Sequence, residues 1–529
     1  MKKILVIFLF LNINLFAQSD NNNQSIELPA FVITGIQSIT LPTINKRKSD
    51  FIPIVGTNFL TPQYGSEDFA LMDNTNPIKK QMDLYSSVES YSGLLYLGAG
   101  TETLPIGKLD LSFNKNNFLF NTHIYGSDVG EFVPYAGYNT SGAEINLSYF
   151  LNHKSNAFPG LKINLGGEFV RDQYNFYGSD IPTYQRENEK YGGKIDFINQ
   201  LNRDFLYGLS FSGNYLNMKT DEVKENLGRV NGFLEFSLGA FSFGADGFYS
   251  TQQVKSSQIH DTNFNYFGGD GYLRFSSSNI FHFKIGAHYS QQDTNNVFSP
   301  IAVLSIFLEE GVALFFSYEG KSDFLTISDF LNENRYYESV QQNIFQINNS
   351  KMNVSVKYDF SDVFEINAGF YSAKFDNYHY YEDLTNNNRF SLVQINEIKE
   401  TGAFFNVIIN TKSYGELYAD FDFQDVKDIS GNKIPYKPVF KSSLSYGLFF
   451  NFGLYSKVRV RYASKYYSDL LNTNRLPNYI NLDFLLKYNI FNTLALTCDF
   501  QNILNRKNYI FKGYQEKSFD IIAGIEYRW

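Results

Sequence analysis

The last twelve residues of the chain, SFDIIAGIEYRW, alternate between apolar and mostly polar side chains. Successive side chains of a β-strand point to opposite faces, so this stretch predicts a strand with two different faces. The apolar face carries Phe519, Ile521, Ala523, Ile525, Tyr527 and Trp529. The other face carries Ser518, Asp520, Ile522, Gly524, Glu526 and Arg528. Such a strand fits between lipid and a polar lumen, and the edge of a soluble sheet is the alternative.

The same alternation recurs upstream at 280–290, 480–489 and 493–502. Aromatic residues make up 18% of the chain although its mean hydropathy is only -0.27, which suits strands that are apolar on one face alone. Past the N-terminus there is no run of about 18 apolar residues, the length that a membrane-spanning helix needs. The sequence therefore predicts an all-β transmembrane barrel.

The connections between the predicted strands alternate in length when they are followed upstream from Trp529. Long connections fall at 505–517, 468–477, 427–437 and 322–348, and short ones at 490–491, 451–452 and 412–413. The pattern predicts an antiparallel barrel of about 22 strands over residues 85–529, with 20 and 24 strands as alternatives. The phrase YHYYED at 378–383 is interpreted as an exposed loop tip rather than a metal site.

The N-terminus has the pattern of a secretory signal peptide at 1–17. Lys2 and Lys3 precede an apolar run, and Ala17 is a plausible cleavage residue. An uncleaved anchor is the alternative, but the apolar run is too short to span a bilayer. The pattern predicts export, with residues 18–84 forming a periplasmic segment ahead of the barrel.

The C-terminal segment from Pro477 resembles the C-terminus of TonB-dependent receptors. The phrase NILNRKNY at 502–509, the pair Gly513–Tyr514 and the final aromatic carry the resemblance. Upstream, Pro435 and Pro438 are similar to the family's proline-bounded lead into a strand. The resemblance implies an outer-membrane barrel inserted into lipid by the barrel assembly machinery. The C-terminal signal for that machinery would be Ile525, Tyr527 and Trp529.

The stretch IELPAFVITGI at 26–36 is similar to a Ton box, the segment that such receptors offer to TonB or a similar periplasmic energy-coupling protein. An extended segment of this kind binds by adding a strand to an exposed sheet edge. The partner-binding residues would be Glu27, Leu28, Pro29, Phe31, Val32, Ile33, Thr34 and Gly35. A β-prone stretch in a disordered leader is the alternative. The family carries a globular plug after this box, and 37–84 is too short for one, so the plug is predicted to be reduced or absent.

A row of cations alternates with apolar residues in YSKVRVRYASK. It comprises Lys457, Arg459, Arg461 and Lys465 on the face predicted to line the lumen. One interpretation pairs this basic stripe with acids on neighbouring strands, such as Asp483 or Glu526. The other is attraction of anionic solutes, because lumen charge tunes the selectivity of a barrel.

Other chemistries find little support in the sequence. It has no nucleophile elbow, phosphate loop or zinc-ligand spacing, and its net charge of -9 argues against nucleic-acid binding. We therefore expect no enzyme activity and no cofactor. The predicted function is import of an unidentified small solute across the outer membrane of a Gram-negative-type bacterium, with the N-terminus in the periplasm. The alternatives are a plugless passive channel and a barrel whose N-terminal tail recruits a periplasmic partner.

Overall fold

A computed structural model describes residues 92–151, 158, 160–199, 204–257, 261–277, 280–308, 311–339, 343–360, 363–411 and 414–529. Their main feature is one antiparallel sheet of 22 strands that closes on itself. The predicted barrel is confirmed, and 22 strands rather than 20 or 24 form it. The signal peptide, the Ton-box-like stretch and the segment 37–84 lie outside the described residues. Within the described ranges, no helix is long and apolar enough to cross a membrane.

Each barrel strand pairs with the strands that flank it around the wall. The barrel strands are β1 (Gly93–Gly100), β2 (Thr103–Lys115), β3 (Phe118–Val129), β4 (Tyr138–Phe150), β5 (Leu161–Asn175), β6 (Gln185–Asn199), β7 (Phe205–Met218), β8 (Val223–Leu238), β9 (Phe241–Ser256), β10 (Thr262–Ser277), β11 (Phe281–Gln292), β12 (Asn295–Phe307), β13 (Val312–Thr326), β14 (Asn343–Phe360), β15 (Phe364–Asp376), β18 (Ile398–Asn410), β19 (Glu416–Lys427), β20 (Phe440–Phe449), β21 (Leu454–Ala463), β24 (Tyr479–Phe491), β25 (Leu494–Gln501) and β28 (Asp520–Arg528).

Smaller elements lie in the connections between barrel strands. They are the helix α1 (Ile327–Glu333) and three short hairpins, β16 (Tyr378–Glu382) with β17 (Ser391–Ile395), β22 (Tyr466–Tyr467) with β23 (Arg475–Leu476), and β26 (Tyr509–Phe511) with β27 (Tyr514–Gln515).

The seam between the first and last barrel strands is fastened at both ends. At one end the carbonyl of Trp529 accepts from the amides of Ser92 and Gly93 at 2.7 and 3.1 Å. At the other end the amide of Thr101, directly after β1, donates to the Ile521 carbonyl at 3.1 Å. The chain's last residue therefore closes the barrel.

The two faces of β28 match the alternation in the sequence. Ile525 and Tyr527 are 53% and 46% exposed on the outer surface, whereas Glu526 and Arg528 are buried on the inner face. A closed ladder leaves no unpaired backbone groups toward lipid, so alternation of side chains is enough to specify the wall.

The two ends of the barrel differ. At the end that holds Trp529, here the turn end, strands are joined by short connections such as 116–117, 239–240 and 492–493. At the other end, here the loop end, the connections include 176–184, 327–342, 377–397, 428–439, 464–478 and 502–519. The predicted turn at 490–491 was wrong by two residues, because Phe491 still pairs with Leu494.

One hairpin leaves the wall and folds inward. The pairing of β13 with β12 ends at Glu319, while its pairing with β14 continues to Thr326. Register shifts on both hairpin strands, at 319–321 and 348–350, supply the bend, since β-bulges kink a strand. Gly320 is required at this bend because an added Cβ would lie 2.2 Å from the Ser299 hydroxyl. Residues 321–348, here the inward arm, comprise the hairpin tip and α1.

The inward arm lies against the inner wall of the barrel. Phe324 and Phe345 of the arm form a buried cluster with Leu227, Tyr266 and Val297, which come from three wall strands. This contact buries apolar surface that would otherwise face the polar lumen, and burial of that kind stabilises the inward position.

Candidate functional site

The loop-end connections meet in one buried apolar cluster, here the cap. Its residues come from the wall, from the inward arm and from the last connections of the chain. They are Leu216, Met218, Val223, Val254, Ile327, Phe330, Tyr337, Ile344, Tyr381, Phe390, Phe511 and Tyr514. Strands that lie far apart around the barrel contribute to this cluster, so the cap extends across the mouth of the barrel.

Arg186 of β6 fastens the arm to the wall. Its guanidinium donates to both carboxylate oxygens of Asp221, at 2.8 and 2.7 Å. It also donates to the carbonyls of Arg335 and Tyr337, both at 2.9 Å. The Arg186 side chain is only 2% exposed, and a buried charge is stable only when it is paired in this way.

Glu225 of β8 holds the other side of the arm at the N-terminus of α1. Its carboxylate accepts from the amides of Ile327 and Ser328, at 3.0 and 3.2 Å, and from the Ser328 hydroxyl at 2.7 Å. The free amides and the dipole of a helix N-terminus favour a negative charge at this position.

The β16–β17 hairpin packs against α1 and contributes Tyr381 to the cap. The Tyr381 hydroxyl donates to the Phe330 carbonyl at 3.1 Å, and His379 Nε2 lies 2.8 Å from a carboxylate oxygen of Glu333. Burial would raise the pKa of Glu333, but the bond and charge of His379 outweigh it, and the pKa lies below its ordinary value. The prediction that 378–383 is an exposed loop tip was wrong, because Tyr378, Tyr380 and Tyr381 are buried.

The phrase NILNRKNY has a structural role in this fold. Asn508 exchanges two hydrogen bonds with the backbone of Ile480, at 2.8 and 3.2 Å. Asn502 takes a left-handed backbone conformation and donates to the carbonyls of Arg506 and Lys517, both at 3.1 Å. These bonds fix the last connection, so that the Tyr514 ring stacks on Tyr336 of the arm with centroids 3.6 Å apart.

Beneath the cap lies a cavity of about 620 Å³, here the cap cavity. This volume is in the range of ligand pockets, roughly 300–1,000 Å³. Tyrosine rings and charged side chains form about half of its lining. Those that matter for its chemistry are Tyr138, Tyr174, Tyr177, Tyr336, Tyr514, Asp172, Lys190, Glu333, Arg335, Arg459, Arg461, Asp483, Glu516 and Lys517.

Arg335 of the arm forms one side of the cap cavity. Its guanidinium carbon lies 5.1 Å from the Tyr174 ring centroid and 5.5 Å from that of Tyr138. The Tyr174 hydroxyl donates to the Arg335 carbonyl at 2.7 Å. Stacking on two rings holds the guanidinium in place and leaves its N–H groups available, and the side chain is exposed to the cavity.

Arg459 and Arg461 form another side of the cavity. Both donate to one oxygen of Asp483, at 2.9 and 3.3 Å, and Asp483 is buried while the two arginine side chains are 44% and 41% exposed. Arg459 and Arg461 therefore fit the interpretation in which the basic stripe pairs with acids on neighbouring strands. Lys457 lies on the same strand, and Lys465 lies beyond its end at Ala463.

Glu526, the other acid named for pairing, contacts Lys487 and Arg528. Its carboxylate accepts from Lys487 at 2.6 Å. The acid that faces Arg461 from the last connection is Glu516, whose pKa burial raises above its ordinary value. Sequence reasoning missed Arg335 and Glu516, since both lie in connections without periodicity.

The remaining predicted residues lie either in the barrel wall or outside the described part of the chain. Ile525, Tyr527 and Trp529 are exposed on the outer surface near the seam. The Ton-box-like residues 26–36 lie outside the described part of the chain, so their role stays a prediction. In the ranges that the structure describes, no group of three or more His, Cys, Asp or Glu side chains could hold a metal ion.

The barrel is similar to several solved receptor structures. The FrpB iron transporter from Neisseria meningitidis matches with a TM-score of 0.64 and 11% identity, covering 84% of this chain and 83% of that chain. The siderophore receptor PiuA from Acinetobacter baumannii gives a TM-score of 0.60 and 12% identity, covering 83% and 82%. The ferripyoverdine receptor of the outer membrane of Pseudomonas aeruginosa gives 0.60 and 12%, covering 84% and 72%.

No family model matches the sequence, and no curated protein matches it. At these identities the solved structures show the fold alone. The fold is that of outer-membrane TonB-dependent receptors with a 22-strand barrel, so the resemblance predicted from the C-terminal motifs is confirmed at that level.

Proposed function

We propose that this chain, whose barrel has the fold of TonB-dependent receptors, imports a small solute across the outer membrane. The loop end would face the outside, and the cap cavity would receive the solute. The observation that carries this proposal is the cavity of about 620 Å³ beneath the cap, which is partly open and lies within the volume range of ligand pockets.

The buried cap and the inward arm at the loop end support a gated barrel over a passive channel. The inward arm is held at both sides, by Arg186 and by Glu225, and its Tyr336 stacks on the last connection. Movement of the arm would then be part of transport. Lids that close over a ligand and open again are drawn from segments of this kind.

Energy for that movement would come from the periplasmic side. In this proposal the Ton-box-like stretch 26–36 adds a strand to TonB or a similar energy-coupling protein. The three solved receptors are named for iron, siderophore and ferripyoverdine, and those solutes are theirs. The solute of this chain is defined by its own cavity.

A passive channel is the second candidate. The short segment 37–84 favours it, because a full plug would not fit in that length. The third candidate is a barrel that recruits a periplasmic partner through its N-terminal tail. Like the main proposal, it begins with contact between that tail and a periplasmic protein. Contact between tail and partner is therefore the first thing to test.

Site-specific cross-linking in cells tests the proposal. A photoreactive residue at Val32 should form an adduct with a periplasmic energy-coupling protein, and one at Asn22, outside the stretch, should not. Deletion of the coupling protein should abolish the adduct and leave the barrel in the membrane. Absence of any adduct at Val32 would contradict active coupling and favour the passive channel.

A further inference from the structure

We propose that the cap cavity binds an anionic oxygen ligand, the carboxylate or phosphate group of a solute, through Arg335, Arg459 and Arg461. The inference rests on the proposed function, because it names the chemical class of the solute that the cavity receives.

Arg335 is the strongest element of this site. No residue in the described ranges accepts a hydrogen bond or forms an ion pair with its guanidinium, which carries five N–H donors. Its backbone is fixed by Tyr174 and Arg186, and its side chain by two tyrosine rings. A planar cation held ready in a pocket matches the flat geometry of carboxylate and phosphate oxygens.

The second element is an excess of positive charge on the part of the lining that β21 supplies. Arg459 and Arg461 share the single carboxylate of Asp483, so one of two charges is neutralised. The other oxygen of Asp483 accepts from the Asn502 amide at 3.1 Å. Arg461 Nε is buried without a partner among the described residues. Both arginines therefore keep donors for a ligand.

Several other charges around the cavity are already paired. Lys190 contacts Glu168 at 2.8 Å, Lys517 contacts Asp520 at 2.7 Å, and Glu333 contacts His379 at 2.8 Å. These pairs leave the three arginines as the cations available to a ligand.

Each arginine also has an acid near it. Asp499 interacts electrostatically with Arg459. Asp172 accepts from the Thr140 hydroxyl at 2.7 Å and interacts electrostatically with Arg335. Glu516 lies near Arg461, and burial raises the pKa of its carboxyl above the ordinary value. Asp172 thus restrains Arg335 in the absence of ligand and should weaken the affinity for an anion. Replacing Asp172 should therefore strengthen anion binding, whereas replacing an arginine should weaken it.

Isothermal titration calorimetry of the full chain in detergent tests the site. The probes are citrate, inorganic phosphate and neutral glucose. We expect saturable binding of at least one anion. Arg335→Gln and Arg461→Gln should each raise the Kd about tenfold, because the loss of one charge-assisted hydrogen bond weakens binding by about that factor. Asp172→Asn should lower the Kd. Arg461→Gln leaves the Arg459–Asp483 pair intact and should not unfold the wall.

Arg475→Gln is the matched control. Its guanidinium carbon also stacks on a tyrosine, 4.9 Å from the Tyr467 centroid, and it does not line the cavity. Binding of citrate alone would assign a carboxylate, and binding of phosphate alone a phosphate. The site is refuted if neither anion binds, if glucose binds as tightly, or if Arg475→Gln costs as much as Arg335→Gln. A chain that cross-links through Val32 but fails these tests keeps the proposed function and loses only the anionic solute.

Discussion

The two ends of the barrel are built on different principles. At the turn end, the connection 239–240 joins two strands, and the Ala240 carbonyl accepts from the Ser276 amide of β10 at 2.8 Å. An added Cβ at Gly239 would meet nothing within 4 Å. At the loop end, the long connections share one buried cluster, and a buried arginine and a buried glutamate hold the arm in place. The wall therefore needs only its backbone ladder, whereas the cap depends on particular side chains far apart in the chain.

The largest expected difference between the ends comes from Arg186→Ala. It leaves Asp221 buried without its main partner and removes two bonds to the arm, which should cost about 3–5 kcal/mol of local stability. Hydrogen exchange of amides in 327–339 should rise accordingly, while exchange in the turn-end halves of the strands stays the same. Arg171→Ala, which removes a half-exposed pair with Glu187, should cost about 0–1 kcal/mol. Equal effects of both changes would show that the buried pair holds the cap no better than a half-exposed pair on the wall does.

A smaller effect is expected for Glu225→Gln. The change removes the negative charge at the start of α1 and weakens its bonds to the Ile327 and Ser328 amides, at a cost of about 1–3 kcal/mol. Faster exchange should be confined to α1 and its neighbours. Glu168→Gln, in a half-exposed pair with Lys190, is the control and should change little.

At the turn end, Gly239→Ala should cost about 1 kcal/mol, because glycine tolerates the backbone φ of +62° and alanine does not. Thermal unfolding followed by circular dichroism measures this cost. Exchange in the cap should be unaffected, and a cap loosened by this change would show that the two ends are coupled.

Acid should loosen the cap only slightly. The pKa of Glu333 is below its ordinary value, so its pair with His379 stabilises the fold when the pH is above the ordinary pKa. This stabilisation is lost as the pH falls through the lowered pKa. Since Glu333 is partly exposed, the loss should stay below about 1 kcal/mol. Exchange of β16 and β17 amides between pH 6 and pH 3, corrected for intrinsic rates, measures it, and Glu333→Gln should remove the dependence.

The sequence predicts the wall well because the wall obeys a local rule. Ile525 and Tyr527 face outward and Glu526 inward, as period-two alternation requires. Turns such as 239–240 are similarly local. Sequence reasoning also found Arg459 and Arg461 with Asp483, since register on neighbouring strands brings them together.

The cap could not be predicted in the same way. Tyr381 and Phe330 are buried by each other although 51 residues separate them, and no periodicity signals that contact. The bend of the inward arm depends on paired bulges and on Gly320, whose need for space arises only from Ser299 on another strand. Arg335 gains its position from Tyr138 and Tyr174, again through tertiary contact alone.

Single-channel conductance in planar bilayers tests most directly whether the arm and cap close the barrel. The full chain should show little steady conductance, and replacing 328–342 with a short Gly–Ser linker should produce a large, stable opening. A two-residue insertion at 239–240 serves as the control and should leave the conductance low. A wide steady pore in the full chain, or a variant without the arm tip that stays closed, would contradict closure at the loop end.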